Sequence, residues 1–150
     1  MPAAPKPGKK KINYIPIRKL KDLAWKNFSK YIRAVRDEGV CYTCGSVQKW
    51  QDTQCGHYES RKQSGSFLDE RNNHCQCVKC NCWKDGNSNV YARNLIRDYG
   101  PHILNELAEL NIKPLKHTHA EWVSIIMYYE AILELKGIKP APRPKPLTIE

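Results

Sequence analysis

Two cysteine pairs carry the first chemical signal. Cys41-Tyr-Thr-Cys44 and Cys77-Val-Lys-Cys80 each set two thiols at knuckle spacing. In so tight a turn both thiolates reach one ion, and two such turns complete a tetrahedral S4 shell suited to Zn²⁺. The 32 residues between the pairs make a long gap for a zinc ribbon. Length is a weak objection, because each doubling of a loop costs only about 0.6 kcal/mol. Cys75-x-Cys77 and Cys80-x-Cys82 are too short for the same turn. Cys55, Cys75 and Cys82 are therefore expected to be non-ligands that pack as small buried hydrophobes. A closed structural zinc does no chemistry. Any reaction must come from the insert and from residues just past the second pair.

Those places hold reactive types. His57 lies in "QCGHYESR" on an expected strand, and a neutral imidazole near pH 7 can act as a base. Asn72 precedes Cys77 by five residues, Asn81 directly follows Cys80, and Lys84 comes three later. Phosphodiester hydrolysis asks for a base to activate water and a cation at the departing oxygen. Each residue also has a plain structural reading. His57 can be a satisfied structural histidine, Asn72 a turn cap, and Asn81 the cap of a short helix. His74 is open between packing and phosphate contact.

This spacing resembles an HNH nuclease of the ββα-metal superfamily with a zinc support. "CYTCG", "QCGHYESR", "ERNNHCQCVKCN", "GNSNVY" and "DYGPHILNEL", in that order, resemble the phage NinG family, also called Rap. The resemblance spans about residues 40–110. Members of that family are recombination endonucleases that act on branched DNA. The resemblance implies His57 as general base and Asn72 as the residue that holds it through the hairpin backbone. It implies that Asn81 offers a carbonyl oxygen to a catalytic cation, Mg²⁺ or Mn²⁺, and that Lys84 contacts a phosphate. Many HNH proteins carry an acidic ligand just before the base, and here that position is Gly56. Gln54, on the same side by strand alternation, offers a carbonyl without charge and is the expected second cation contact. Asp52 has the same parity but lies further away. Arg61, Lys62 and Arg71 cluster around the same stretch and are expected on phosphates, or else on a solvated surface.

The remaining elements must position this core. Residues 1–11, "MPAAPKPGKKK", suit a disordered basic arm. Residues 12–39 suit a basic amphipathic helix spanning about 17–38. Leu20, Ala24, Phe28, Tyr31 and Val35 form its apolar face, and Gly39 its stop. Lys30 and Arg33 on the other face are candidate DNA contacts. "VQKWQD" and "QCGHYE" are expected to be the two arms of a hairpin. A helix over about 89–99 puts Tyr91, Leu95 and Tyr99 on one face, and Pro101 is placed to start the next helix. "THAE" is a capping box that opens a last helix to about residue 136, with Trp122, Ile125, Ile126, Tyr129, Ile132 and Leu133 as its stripe. Residues 138–150 form a Pro-rich tail.

Composition agrees with this organisation. The chain has 150 residues, seven cysteines and a net charge of +10. No apolar run reaches a membrane span, and the Lys/Pro-rich start does not resemble a secretory signal. Cysteines in that setting point to a reducing cytoplasm, that of a bacterial host if the gene is a phage's. Residues 12–38 alone carry seven basic and three acidic side chains, which favours a polyanionic partner.

The resulting expectation is an α+β, mostly helical protein. A zinc-stabilised, HNH-like ββα-metal core at 40–100 is flanked by N-terminal and C-terminal helices, the latter at 101–137. Its expected activity is metal-dependent cleavage of branched double-stranded DNA, such as Holliday junctions. A homodimer is expected, since a four-way junction has two-fold symmetry. The alternatives are a non-catalytic zinc-knuckle DNA-binding module, a sequence-specific HNH nuclease, and a zinc scaffold that binds protein through its last helices.

Overall fold

The computed structural model describes residues 15–145, so the basic arm at 1–11 lies outside the described residues. Helix α1, Ile17–Lys30, buries Leu20, Leu23, Ala24, Asn27 and Phe28, the spacing of one helical face. The expected continuation to residue 38 takes a different form. Tyr31–Arg36 winds as a π-helical turn, with the Asp37 N–H bonded to the Ile32 carbonyl at 2.9 Å. That wider turn rotates the face, so Ile32 is fully buried while Tyr31 and Val35 are only half-buried. Glu38 and Gly39 then turn left-handed, and a Cβ at Gly39 would collide with the Gln48 carbonyl.

The hairpin differs from expectation in its partner. Strand β1, Thr53–His57, pairs antiparallel with β2, Asn73–Cys77, across the loop at 58–72. "VQKWQD" is instead a short bridge at Val47 and a 3-10 turn at Trp50–Asp52. Every residue of β2 is buried, so its sequence shows no alternation to mark it as a strand. A second π-helical turn, Lys79–Trp83, follows the second cysteine pair, and a 3-10 turn at Asp85–Asn87 leads into α2, Ser88–Tyr99.

Helix α3, Ile103–Glu109, starts two residues after Pro101 and packs on α2 through Tyr91, Leu95, Ile103 and Leu107. Thr118 and Glu121 form the expected capping box of α4, His119–Leu135. Its stripe packs along α1: Trp122 and Ile126 meet Leu20, Leu23 and Ala24, while Tyr129 meets Phe28 and Ile32. Helices α1 and α4 thus form one layer and α2 and α3 another, with the small sheet joined to both. The tail turns back onto α1. The Ala141 N–H donates to Asn27 Oδ1 at 2.8 Å, and Arg143 pairs with the buried Glu130.

Candidate active site and metal cluster

The four knuckle sulfurs converge. Those of Cys41, Cys44, Cys77 and Cys80 all lie within 4.8 Å of one another, and Cys44 Sγ is 3.7 Å from Cys77 Sγ. Zn–S bonds near 2.3 Å in a tetrahedron set sulfurs about 3.8 Å apart, so the cluster can hold a metal such as zinc. Within the second knuckle the Cys80 N–H points at Cys77 Sγ at 3.4 Å. Burial pushes the Cys80 thiol up to about 11. A thiol so placed ionises readily only beside a cation. Burial also acts on Cys41, but hydrogen bonds from the Thr43 hydroxyl and the local backbone outweigh it and bring that thiol down to about 6.

The other three cysteines stand outside the cluster. Cys75 is buried as expected, while Cys55 is only half-buried as a residue, though burial of its thiol pushes it up to about 12. Cys82 corrects the expectation. It is exposed, because it falls on the outer side of the turn that carries Cys80 inward.

His57 closes the far end of β1, opposite Asn73. The Asn72 side chain clasps the backbone just beyond it. Asn72 Oδ1 accepts from the Glu59 N–H at 2.7 Å, and its Nδ2 donates to the Glu59 carbonyl at 3.1 Å and the Ser66 carbonyl at 3.3 Å. The His57 ring is half-buried, and its Nδ1 is buried without a hydrogen-bond partner among the described residues. Burial, then the positive Arg61, lowers the pKa of His57 and keeps the ring neutral.

The Gln54 and Asn81 side chains meet. Asn81 Nδ2 donates to Gln54 Oε1 at 2.6 Å, and the Cys82 thiol reaches the same oxygen at 3.1 Å. Gly56 has a reason the sequence does not reveal: the buried Gln76 amide lies over it, and a Cβ there would collide with Gln76 Oε1. Gln76 Nε2 donates to Thr43 Oγ1 at 3.1 Å and to the Gly86 carbonyl at 2.9 Å. A carbonyl only accepts, so this contact fixes the amide with Oε1 toward Gly56. No side chain fits in front of His57. Gln76 was missed in the sequence, where its one signal is a glycine beside a candidate base.

His57 and Asn81 line one cleft of about 370 Å³, together with Ser60, Asp85 and Ser88. On its other side His57 lines a groove with Arg18, Lys21, Arg61 and Lys62. Arg61 is exposed and lies over Trp25, 4.2 Å from the ring. Lys84 is exposed on the turn after the second knuckle.

Three other basic candidates are occupied within the fold. Arg71 pairs with Asp69 at 3.0 Å and Glu106 at 2.9 Å. Arg33 donates to the carbonyls of Trp50 and Thr53 at 3.3 and 3.1 Å, and Lys30 donates to the Lys139 carbonyl at 2.9 Å. Arg18 was missed, because only tertiary position sets it beside His57. His74 is a packing residue. It stacks on Tyr42 at 3.7 Å, and its nitrogens meet the hydroxyls of Tyr91 at 3.0 Å and Tyr99 at 3.2 Å. Burial lowers it to about 3, so it stays neutral.

Fold and site define a small mixed helical protein with a two-stranded sheet, a four-cysteine cluster at one end of that sheet and a histidine cleft at the other. The chain belongs to the NinG family: the model described as Bacteriophage Lambda NinG protein matches residues 6–138. Two curated proteins called "Protein ninG", from Escherichia phage 933W and Enterobacteria phage VT2-Sa, are each 35% identical to it over 78 residues. That stretch is 51% of this chain and 38% of each relative, so the chain matches well under half of their length. No solved structure matches it. No helix among the described residues is long and apolar enough to cross a membrane.

Proposed function

We propose that this protein is a metal-dependent endonuclease of the HNH type that cuts branched DNA such as four-way recombination junctions. In this reading the four cysteines hold a structural Zn²⁺ and the cleft is the active site. The observation that carries it is His57: a neutral imidazole at a cleft it shares with Asn81, with Arg18, Lys21, Arg61 and Lys62 on its other side.

His57 takes a proton from water, and the water oxygen attacks phosphorus. The P–O3′ bond breaks, and the leaving oxygen takes a proton from solvent water to end as a 3′-hydroxyl opposite a 5′-phosphate. Asn72 holds the loop after His57 and so keeps the imidazole aimed. Arg61 and Lys62, exposed in the groove, supply backbone contacts that are salt-sensitive and nearly blind to sequence. The carboxamide oxygens of Gln54 and Asn81 suit a hard cation, Mg²⁺ or Mn²⁺, which when bound would stabilise charge on the leaving oxygen. Two copies acting on a two-fold symmetric junction would give paired cuts, in the cytoplasm of an infected cell.

The test is incubation of the protein with labelled four-way, flap and linear duplex DNA plus Mg²⁺ or Mn²⁺. EDTA and His57→Ala serve as controls. Branch-selective cleavage that His57→Ala abolishes, with binding retained, is the expected result. A second reading, a DNA-binding module without chemistry, is favoured by Gly56, which stands where many HNH proteins carry an acidic ligand, and by Gln54, which brings no charge. Tight binding with no cleavage under either cation would establish it instead.

A further inference from the structure

Neither the position just before His57 nor the expected second cation contact holds a carboxylate. Gly56 is covered by Gln76, and Gln54 is neutral. Neutral carbonyls alone bind a divalent cation weakly, because affinity rises with ligand charge. The cleft nevertheless contains one negative side chain. Among the described residues that line it beside His57 and Asn81, only Asp85 is acidic. Its carboxylate is exposed and has no hydrogen-bond or ion-pair partner among the described residues, although the neighbouring Lys84 is available.

The backbone that presents Asp85 is held from beneath. Asp85, Gly86 and Asn87 are all left-handed, with φ of 49°, 81° and 50°. Two contacts keep this turn in place. The Gly86 carbonyl accepts from Gln76, the residue that excludes a side chain at Gly56, and Asn87 Nδ2 meets Cys80 Sγ at 3.7 Å. The residue that closes the usual acidic position therefore also anchors the turn that brings a carboxylate to the cleft from the other side.

The geometry points to Asp85 as the charged ligand of the divalent cation in this cleft, in place of the acidic residue missing before His57. This rests on the nuclease reading above. Asp85 binds the cation before DNA arrives, and Asn81, which lines the same cleft, adds a neutral oxygen.

The rival role for Asp85 is turn formation alone, and one substitution separates the two. Asparagine tolerates the left-handed backbone as well as aspartate does, so Asp85→Asn keeps the turn and removes only the charge. The zinc-loaded full chain is titrated with Mn²⁺ without DNA, and free Mn²⁺ is read by electron paramagnetic resonance. The wild type is expected to take up one Mn²⁺, with Asp85→Asn at least tenfold weaker. Asp52→Asn, an exposed charge outside the cleft, should match the wild type. Zinc content equal in all three shows that the fold is kept. Equal Mn²⁺ affinity in wild type and Asp85→Asn overturns the assignment, and so does a wild type that takes up no Mn²⁺. Branched-DNA cleavage measured in parallel keeps the two readings apart. Cleavage with an indifferent Asp85→Asn leaves the nuclease standing without this ligand. Asp85-dependent Mn²⁺ uptake with no cleavage leaves the ligand standing without the nuclease.

Discussion

The two ends of the β1–β2 hairpin have opposite chemistry. At the Thr53–Cys77 end four sulfurs turn toward one another, and three of those cysteines are buried. At the His57–Asn73 end Asn73 is buried, while His57 is half-buried beside an open cleft and its Nδ1 has no partner among the described residues. The four thiols at one end can close around a single ion, while the imidazole at the other opens onto a cleft. On the proposed reading, stability belongs to the cysteine end and chemistry to the histidine end.

The strongest way to break that division is at the cysteines. Cys77→Ser should remove the metal, and structural zinc contributes roughly 10–16 kcal/mol in small metal-dependent domains. That matches or exceeds the whole stability of an ordinary domain, so a cooperative thermal transition followed by circular dichroism should disappear. A variant that melts like the wild type would refute the structural role.

His57→Ala should do the reverse. Cleavage should fall by ~10²–10⁴, the usual contribution of a general base, while the melt and zinc content hold. Because burial lowers the pKa of His57, the wild-type pH–rate profile should keep its plateau to below the ordinary value of 6.5 before falling. A plateau that ends above 6.5 would point to another base.

Gly56→Ala tests whether the ends are coupled. Its methyl must displace Gln76, which bonds Thr43 in the first knuckle and Gly86 in the cleft turn. Overpacking of this kind costs about 1–3 kcal/mol. Urea unfolding should show that loss together with a fall in cleavage. A loss of stability alone would mean that Gln76 serves the cysteine end only.

An effect confined to acid pH lies between the ends, at His74. Its folded pKa of about 3 is below the unfolded 6.5. The unfolded chain therefore binds the proton first. The contribution is whole above pH 6.5 and is lost as pH falls toward about 3, by roughly 1.4 kcal/mol per pH unit within that window. Replacing His74 with Phe should flatten this part of the stability profile in urea melts between pH 7 and 5. An unchanged slope would show that other groups carry it.

What the sequence made legible follows from local rules. Knuckle spacing, the Thr118–Glu121 capping box and the stripe of α4 are all patterns within a few residues, and each has its expected counterpart in the fold. The strand opposite β1 was not legible, because Asn73–Cys77 is buried on both faces and its polar and sulfur side chains follow no period. The π-helical turn at Tyr31–Arg36 was hidden for a related reason. Its cause is the packing of Ile32 and the grip of Arg36 on the Glu70 and Asn73 carbonyls, and both partners are distant in sequence. Basic residues were visible as a face, but only the fold separates Arg18 and Lys21, beside His57, from Lys30 and Arg33, which bond the chain's own carbonyls.

The order of the cysteines along the chain has a consequence for how the protein is made. Cys41 and Cys44 leave the ribosome 36 and 33 residues ahead of Cys77, and His57 and Asn72 emerge in between. Until Cys80 follows, the first knuckle is half a binding site and β1 has no partner strand. The hairpin, the cysteine cluster and the cleft therefore mature together, in one step that waits for the second knuckle. Nascent chains stopped before Cys77 should bind zinc weakly and digest readily at the cleft loop, and chains that extend past Asn87 should resist.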